Sequence, residues 1–350
     1  MKKLIYLIVS ILFSLQLQAQ STDWTEVKGM ETLPKDVSFA VENNDLYYAV
    51  SNSETNNVSV FKLINGKWTQ VGSDFTVSKP TSITSFVVSK GIPYVLLGVN
   101  NVNIMSVSLF KFDGTSWKTL GNQFVSDEYM MATNMVVYND VPYIFVIESK
   151  YQSKATVYSF DKNQWKVLGT PGFSKSQFFD GKMVVWGDKI VVVYKESAGN
   201  KRYAKMFNGS KWESFEGGDA FSDGKKFMYI VSSYPNQLIV SYKDASAGNS
   251  PKCFKYENNK WKDLNNSELA TIQTRYVQAV NYKGKTILFY EDATNGNTLF
   301  IKENSNGSWS KAISFSNTPY NLYEAFVTET GFYLYVKDAT DNIKLFKYNK

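Results

Sequence analysis

The sequence predicts an all-β fold: a seven-bladed β-propeller with four antiparallel strands per blade, the ring closed by the N-terminal strand pairing with the C-terminal blade. Three observations lead there: a tryptophan repeat, two hairpin turns inside each period, and two half-blades at the chain ends. The segments "FKLINGKWTQVG", "FKFDGTSWKTLG", "YSFDKNQWKVLG", "KMFNGSKWESFEG", "FKYENNKWKDL" and "IKENSNGSWSKAI" align on Trp68, Trp117, Trp165, Trp212, Trp261 and Trp309, with spacings of 49, 48, 47, 49 and 48 residues. Trp24 in "DWTEV" lies 44 residues before the first of these and fills the same slot, so that only Trp186 stands outside the series. A period of this size is that of a propeller blade, longer than a solenoid rung.

From the N-terminus, "MKKLIYLIVSILFSLQLQAQ" joins Lys2 and Lys3 to an apolar run from Leu4 to Leu15 and a polar stretch ending near Ala19. That is the pattern of an export signal, here residues 1–19, leaving 20–350 as the propeller. No second hydrophobic stretch of ~20 residues follows, so no membrane span is expected in the mature chain. Within each period the strands are rich in β-branched and aromatic residues and are bounded by Gly, Asn and Asp. In the third repeat "NMVVYND" and "VPYIFVIE" flank a turn at Asn139 and Asp140, and "ATVYSFD" and "WKVLG" flank another at Lys162 and Asn163. The first turn returns as "SKGIPY", "WGDKIV", "SYPNQLI", "YKGKTIL" and "TETGFYL". Such residues tolerate the positive φ of a two-residue hairpin. The chain ends on "NIKLFKYNK", a third strand without its tryptophan hairpin, and begins on "DWTEV", a fourth strand without its first three. Together they complete a seventh blade and hide two open edges. The tryptophan is expected to pack between adjacent blades, each of which must bury both faces.

Composition excludes more than it selects. The formal charge of +6 includes Lys2 and Lys3, the remaining lysines are scattered among acidic residues, and nucleic acid is not implied. Cys253 is alone, so no intramolecular disulfide can form; it sits eight residues before Trp261, as Val60, Leu109 and Val157 sit before their tryptophans, and a buried thiol is expected. There is no histidine anywhere, which removes Ser-His-Asp and Cys-His catalysis and nearly every zinc or copper site.

With strands ending in an "FD" turn before tryptophan, as in "KFDGTSW" and "SFDKNQW", the chain resembles the kelch-like and galactose-oxidase-like propellers. In place of the Gly-Gly pair of kelch repeats it has "LLGVN", "VIESK", "YKESAGN", "YKDASAGN", "YEDATNGN" and "VKDATDN". It is also similar in its repeat to sialidase propellers. Their Asp-box offsets are not kept, however, and the chain has only Arg202 and Arg275 where sialidase chemistry needs three arginines.

Two groups of residues remain as site candidates. The links between second and third strands carry Asp244, Asp292 and Asp338 in register, in "KDASAGN", "EDATNGN" and "KDATDN". Short oxygen-rich loops can hold calcium, while the same residues are good Asx-turn formers. Propeller topology puts these links on the same face as the connections between blades, "SDEYMMA", "SDGKKFM", "QTRYVQA" and "SNTPYNLYEA". Glu128, Tyr129, Lys226, Arg275, Tyr276, Tyr320 and Tyr323 therefore converge on one loop-rich rim, where aromatic and charged side chains suit a sugar or peptide. Tyr194, Tyr242 and Tyr290, at the ends of second strands, are expected to pack within the sheets. The sequence thus points to a non-catalytic, exported, monomeric propeller (periplasmic, cell-surface or secreted) that binds a glycan or an extracellular protein. The alternative is a carbohydrate-active enzyme built on a carboxylate pair.

Overall fold

The computed structural model describes residues 23–348 apart from 31–32, 34–36, 78–80, 102–103, 122–129, 199–201, 216–219, 223–228, 233–236 and 317–319. The expected signal segment and its cleavage site lie outside the described residues. Seven antiparallel sheets follow one another along the chain. Blade 1 runs through Val37–Glu42, Asp45–Asn52, Asn57–Ile64 and Lys67–Gln70, and blades 2 to 6 repeat that order, inner strand first. Three sheets carry a short fifth strand, such as Phe75–Thr76, which pairs with the third strand past the end of the fourth. Among the described residues no helix is long and apolar enough to cross a membrane.

Blade 7 joins the two chain ends. Asn321–Val327, Phe332–Lys337 and Ile343–Tyr348 are completed by Trp24–Glu26, with Trp24 opposite Tyr348 and Glu26 opposite Phe346. The Val27 N–H donates to the Leu345 carbonyl at 2.8 Å, and Lys344 pairs with Glu26 at 2.7 Å. The hairpins form as their sequences require. Asn139 and Asp140 have φ of 50° and 64°, and Lys162 and Asn163 have 48° and 63°, the two positive values of a type I′ turn.

The core lies between the blades. It consists of seven apolar clusters, and each is shared by two consecutive sheets, including the seam between blade 7 and blade 1, where Phe39 and Tyr48 meet Tyr335 and Leu345. A strand pair with both faces apolar has no solvated side, so every blade needs two neighbours. Each repeat tryptophan belongs to a different seam: Trp24 to the cluster of blades 6 and 7, Trp68 to 7 and 1, Trp117 to 1 and 2, and so on to Trp309 between 5 and 6. Cys253, Tyr194, Tyr242 and Tyr290 are buried as expected, and burial pushes the Cys253 thiol far up, which leaves it unreactive.

Three of the indoles also have a polar partner among the described residues. Trp117 Nε1 donates to the Val71 carbonyl at 3.2 Å, Trp212 Nε1 to Leu168 at 2.9 Å and Trp309 Nε1 to Leu264 at 2.6 Å. Each acceptor stands three residues after the tryptophan of the preceding blade, so one spacing builds both halves of the contact. The residue after that acceptor is often glycine. At Gly121, with φ of +73°, an added Cβ would lie 2.8 Å from Trp165 Nε1 and 2.9 Å from the Phe160 ring. The buried Trp68 and Trp165 indole nitrogens have no acceptor.

This geometry yields two expectations measurable by urea denaturation. Trp212→Phe should cost about 1 kcal/mol more than Trp165→Phe, because only the former loses an indole hydrogen bond and strands a carbonyl. Gly121→Ala should cost about 1–3 kcal/mol through the clash and the left-handed backbone.

Candidate ligand site in the central channel

The inner strands surround the channel and present their unpaired edges to it, a row of N–H and C=O groups that needs partners. Side chains of adjacent blades supply some of them. Asn134, on the inner strand of blade 3 (Met130–Tyr138), donates from Nδ2 to the Met183 carbonyl at 2.7 Å and accepts the Met183 N–H at 2.8 Å. Met183 lies on the inner strand of blade 4, Phe178–Trp186. Gln278 of blade 6 makes the same two-point contact with Ala325 of blade 7, at 2.9 and 2.6 Å. Each amide completes a bridge that the sheets themselves cannot make. The Ser85 hydroxyl accepts the Met135 N–H at 3.1 Å, and Ser241 accepts that of Ala279 at 2.8 Å.

Five inner strands carry a register break in their first half, between Ile83 and Ser85, Ala132 and Asn134, Phe178 and Asp180, Thr274 and Val277, and Leu322 and Glu324. A bulge adds a residue and turns the following side chains to the other face. Beside these breaks lies a cavity of about 190 Å³ lined by Val37, Ser38, Phe39, Thr84, Ser85, Phe86, Asn134, Lys182, Glu324 and Tyr335. Its inner-strand residues lie between the start and the middle of their strands, on the side where the inter-blade connections enter. The opposite end is tied turn to turn: the Glu42 carboxylate accepts the Lys90 and Gly91 N–H groups, Lys90 pairs with Asp140, and Thr330 bonds Asn44.

The cavity holds one residue of each charge. Lys182 from blade 4 and Glu324 from blade 7 come from opposite sides of the ring. Burial pushes the Glu324 carboxyl above the usual carboxylate range, and the Lys182 charge opposes that rise. Protein crowding also raises Asp180, against the Gly181 N–H, Arg202, Lys195 and Lys182; its side chain is exposed, so solvent blunts the push. Among the described residues neither Lys182 nor Glu324 has a side-chain hydrogen bond or an ion pair.

The rim residues expected from sequence fare differently. Glu128, Tyr129 and Lys226 lie outside the described residues. Tyr323 occupies the register break before Glu324. Arg275 is exposed and Tyr276 half-buried in the break of blade 6, where the Thr274 hydroxyl donates to the Tyr276 carbonyl. Burial drives the Tyr276 phenol far above its usual range, with the charges of Glu324 and then Glu291 adding to it, and its ring packs against the seam of blades 6 and 7. Tyr320 instead packs edge-on against Phe315 at 5.9 Å and Phe346 at 5.7 Å, in the seam that Trp24 closes.

The aspartates of the second loops are engaged in turns. Asp244 Oδ1 accepts the Ser246 N–H and hydroxyl, Asp292 those of Thr294, and Asp338 those of Thr340 together with the Asn342 N–H. They sit on separate blades, and no group of three or more Asp, Glu or Cys side chains able to hold a metal occurs among the described residues. Sequence reading missed Lys182, Glu324, Asn134, Ser38, Thr84 and Ser85. Their one signal was a polar residue at matching inner-strand depth in successive repeats, within runs otherwise read as core.

No family model and no curated protein matches the chain. Among solved structures it is similar to YjhT, with 13% identity and a TM-score of 0.45, over 81% of this chain and 98% of that one. It is similar also to the SapL1 lectin in complex with alpha methyl fucoside, with 14% identity and a TM-score of 0.47, over 81% of this chain and 97% of that one. Trypanosoma rangeli sialidase in complex with the inhibitor DANA aligns with 10% identity and a TM-score of 0.45, over 89% of this chain and 54% of that one. Likenesses this distant carry over neither ligand nor activity.

Glu324 gives the site a pH signature. Its folded-state pKa lies above that of the unfolded chain, so the native state retains a proton that the unfolded state has released, and stability falls as pH rises through that window. Glu324→Gln should therefore melt above the parent protein at pH 7, with the gap closing below about pH 4 in a calorimetric series.

Proposed function

We propose that the protein is an exported, monomeric, non-catalytic propeller that binds a glycan through its loop-rich face, with the channel cavity receiving the terminal sugar. The observation that carries this reading is the cavity wall, where Ser38, Thr84 and Ser85 hydroxyls and two charged groups stand against Phe39, Phe86 and Tyr335. A concave site with convergent polar groups is a usual form of a small-molecule pocket, and hydroxyls, an amine and a carboxyl are groups that a sugar can hydrogen-bond. Hydrolysis by paired carboxylates is less well supported, because Glu324 is the single carboxylate among the described residues that line the cavity. Calcium belongs to the proposal as an ordering ion for the Asp244, Asp292 and Asp338 loops, whose oxygen-rich sequences suit it.

A glycan array and a thermal-shift screen of the mature protein, with calcium and with chelator at matched salt, test the reading. The expected result is saturable glycan binding with a raised melting temperature, weakened about tenfold by Arg275→Ala at the exposed rim. Absence of any glycan hit in either buffer would contradict it and turn the search to an extracellular protein partner. An unchanged melting temperature on chelation would remove calcium.

A further inference from the structure

Resting on that reading, we infer that the cavity selects an acidic sugar: a single pyranose ring whose carboxylate pairs with Lys182 while its hydroxyls bond Glu324, Ser38, Thr84 and Ser85. The placement of the two charges argues for it. Lys182 and Glu324 face the same enclosure of about 190 Å³ from opposite sides of the ring, and among the described residues neither is paired with the other or with a third group. Two opposite charges that share a cavity without touching leave room for a bridging ligand.

Glu324 can take up a proton, and its surroundings already favour that form. Lys182 has no ion-pair partner among the described residues, so the cavity offers a place for an anion. A charge-assisted bond from ammonium to carboxylate is roughly twice as strong as one to a neutral hydroxyl, which gives an acidic ring the advantage over its neutral counterpart. The rest of the wall suits the remainder of such a ligand. Asn134 spends its amide on Met183, and the Ser85 oxygen accepts from Met135 but keeps its proton to donate; Ser38 and Thr84 add two more hydroxyls. The volume lies below the about 300 Å³ at which drug-sized pockets begin, so one ring fits and an oligosaccharide must extend out over the rim.

Titration calorimetry with methyl β-glucuronide and methyl α-galacturonide against methyl β-glucoside and methyl α-galactoside tests the inference. At least one uronide should bind ten times or more tighter than its neutral counterpart. Lys182→Gln should abolish that preference, and Lys182→Arg should keep most of it, with both variants melting within a few degrees of the parent protein. Equal affinity for uronide and neutral glycoside, a preference that survives Lys182→Gln, or no binding of either uronide would each overturn the inference. The array separates this failure from failure of the wider reading: neutral glycans that bind and lose affinity in Arg275→Ala would leave a glycan-binding rim without an acid-selective channel.

Discussion

Everything in this molecule follows from sheets that are apolar on both faces. A single blade cannot bury itself, and two blades still leave two faces wet, so the arrangement is satisfied only when the series closes on itself. The seam between blades is therefore the unit of stability, and the repeat tryptophan is its centre. One spacing places an indole over the preceding blade and, three residues further on, places a carbonyl under the next indole, as with Trp165, Leu168 and Trp212. In the seam that includes Trp24, the outer strand comes from the other end of the chain. Trp24 packs edge-on against Phe315 at 5.1 Å and Phe332 at 5.2 Å, and beside Tyr348 at 5.0 Å.

Closing the ring creates the problem that the candidate site exploits. The inner strands become edges around a channel, and their N–H and C=O groups need partners. Asn134 and Gln278 act as side-chain substitutes for a missing strand, and Ser85 and Ser241 do so for single N–H groups. The register breaks reorient the residues that follow them, and three of these, Ser85, Asn134 and Glu324, line the cavity. Scaffold and site are thus made of the same inner-strand positions. Lys182 and Glu324 line the cavity, where every other polar residue of the wall is neutral.

The fold was legible because its determinants are local and repeated. Tryptophan spacing, the Asn, Gly and Lys turns with positive φ, and the two half-blades each reflect short-range chemistry, so the number of blades and the closure could be read directly. Cys253 was legible for the same reason, being the counterpart of Val60, Leu109 and Val157. The site was legible only in part. Aromatic and charged residues on the inter-blade connections were visible, whereas the cavity is lined mainly from the inner strands, and Tyr320 serves a seam. Nothing local marks Lys182 as facing Glu324, since they are 142 positions apart and meet only because the ring brings blades 4 and 7 across one channel. Bulges are similarly silent in sequence: the extra residue at each break shifts which side chains face inward, and alternation alone assigns them wrongly.

The central claim is that the chain forms one closed ring whose last seam is as complete as the others. Native-state hydrogen exchange resolved by peptide mass spectrometry tests it most directly. Amides of residues 24–27 and 343–348 should be protected to the same extent as those of the internal outer pair, 117–120 with 107–112, and released with them in one cooperative opening. Full exchange of 24–27 while the other six outer strands remain protected would show an open chain of blades and contradict the account.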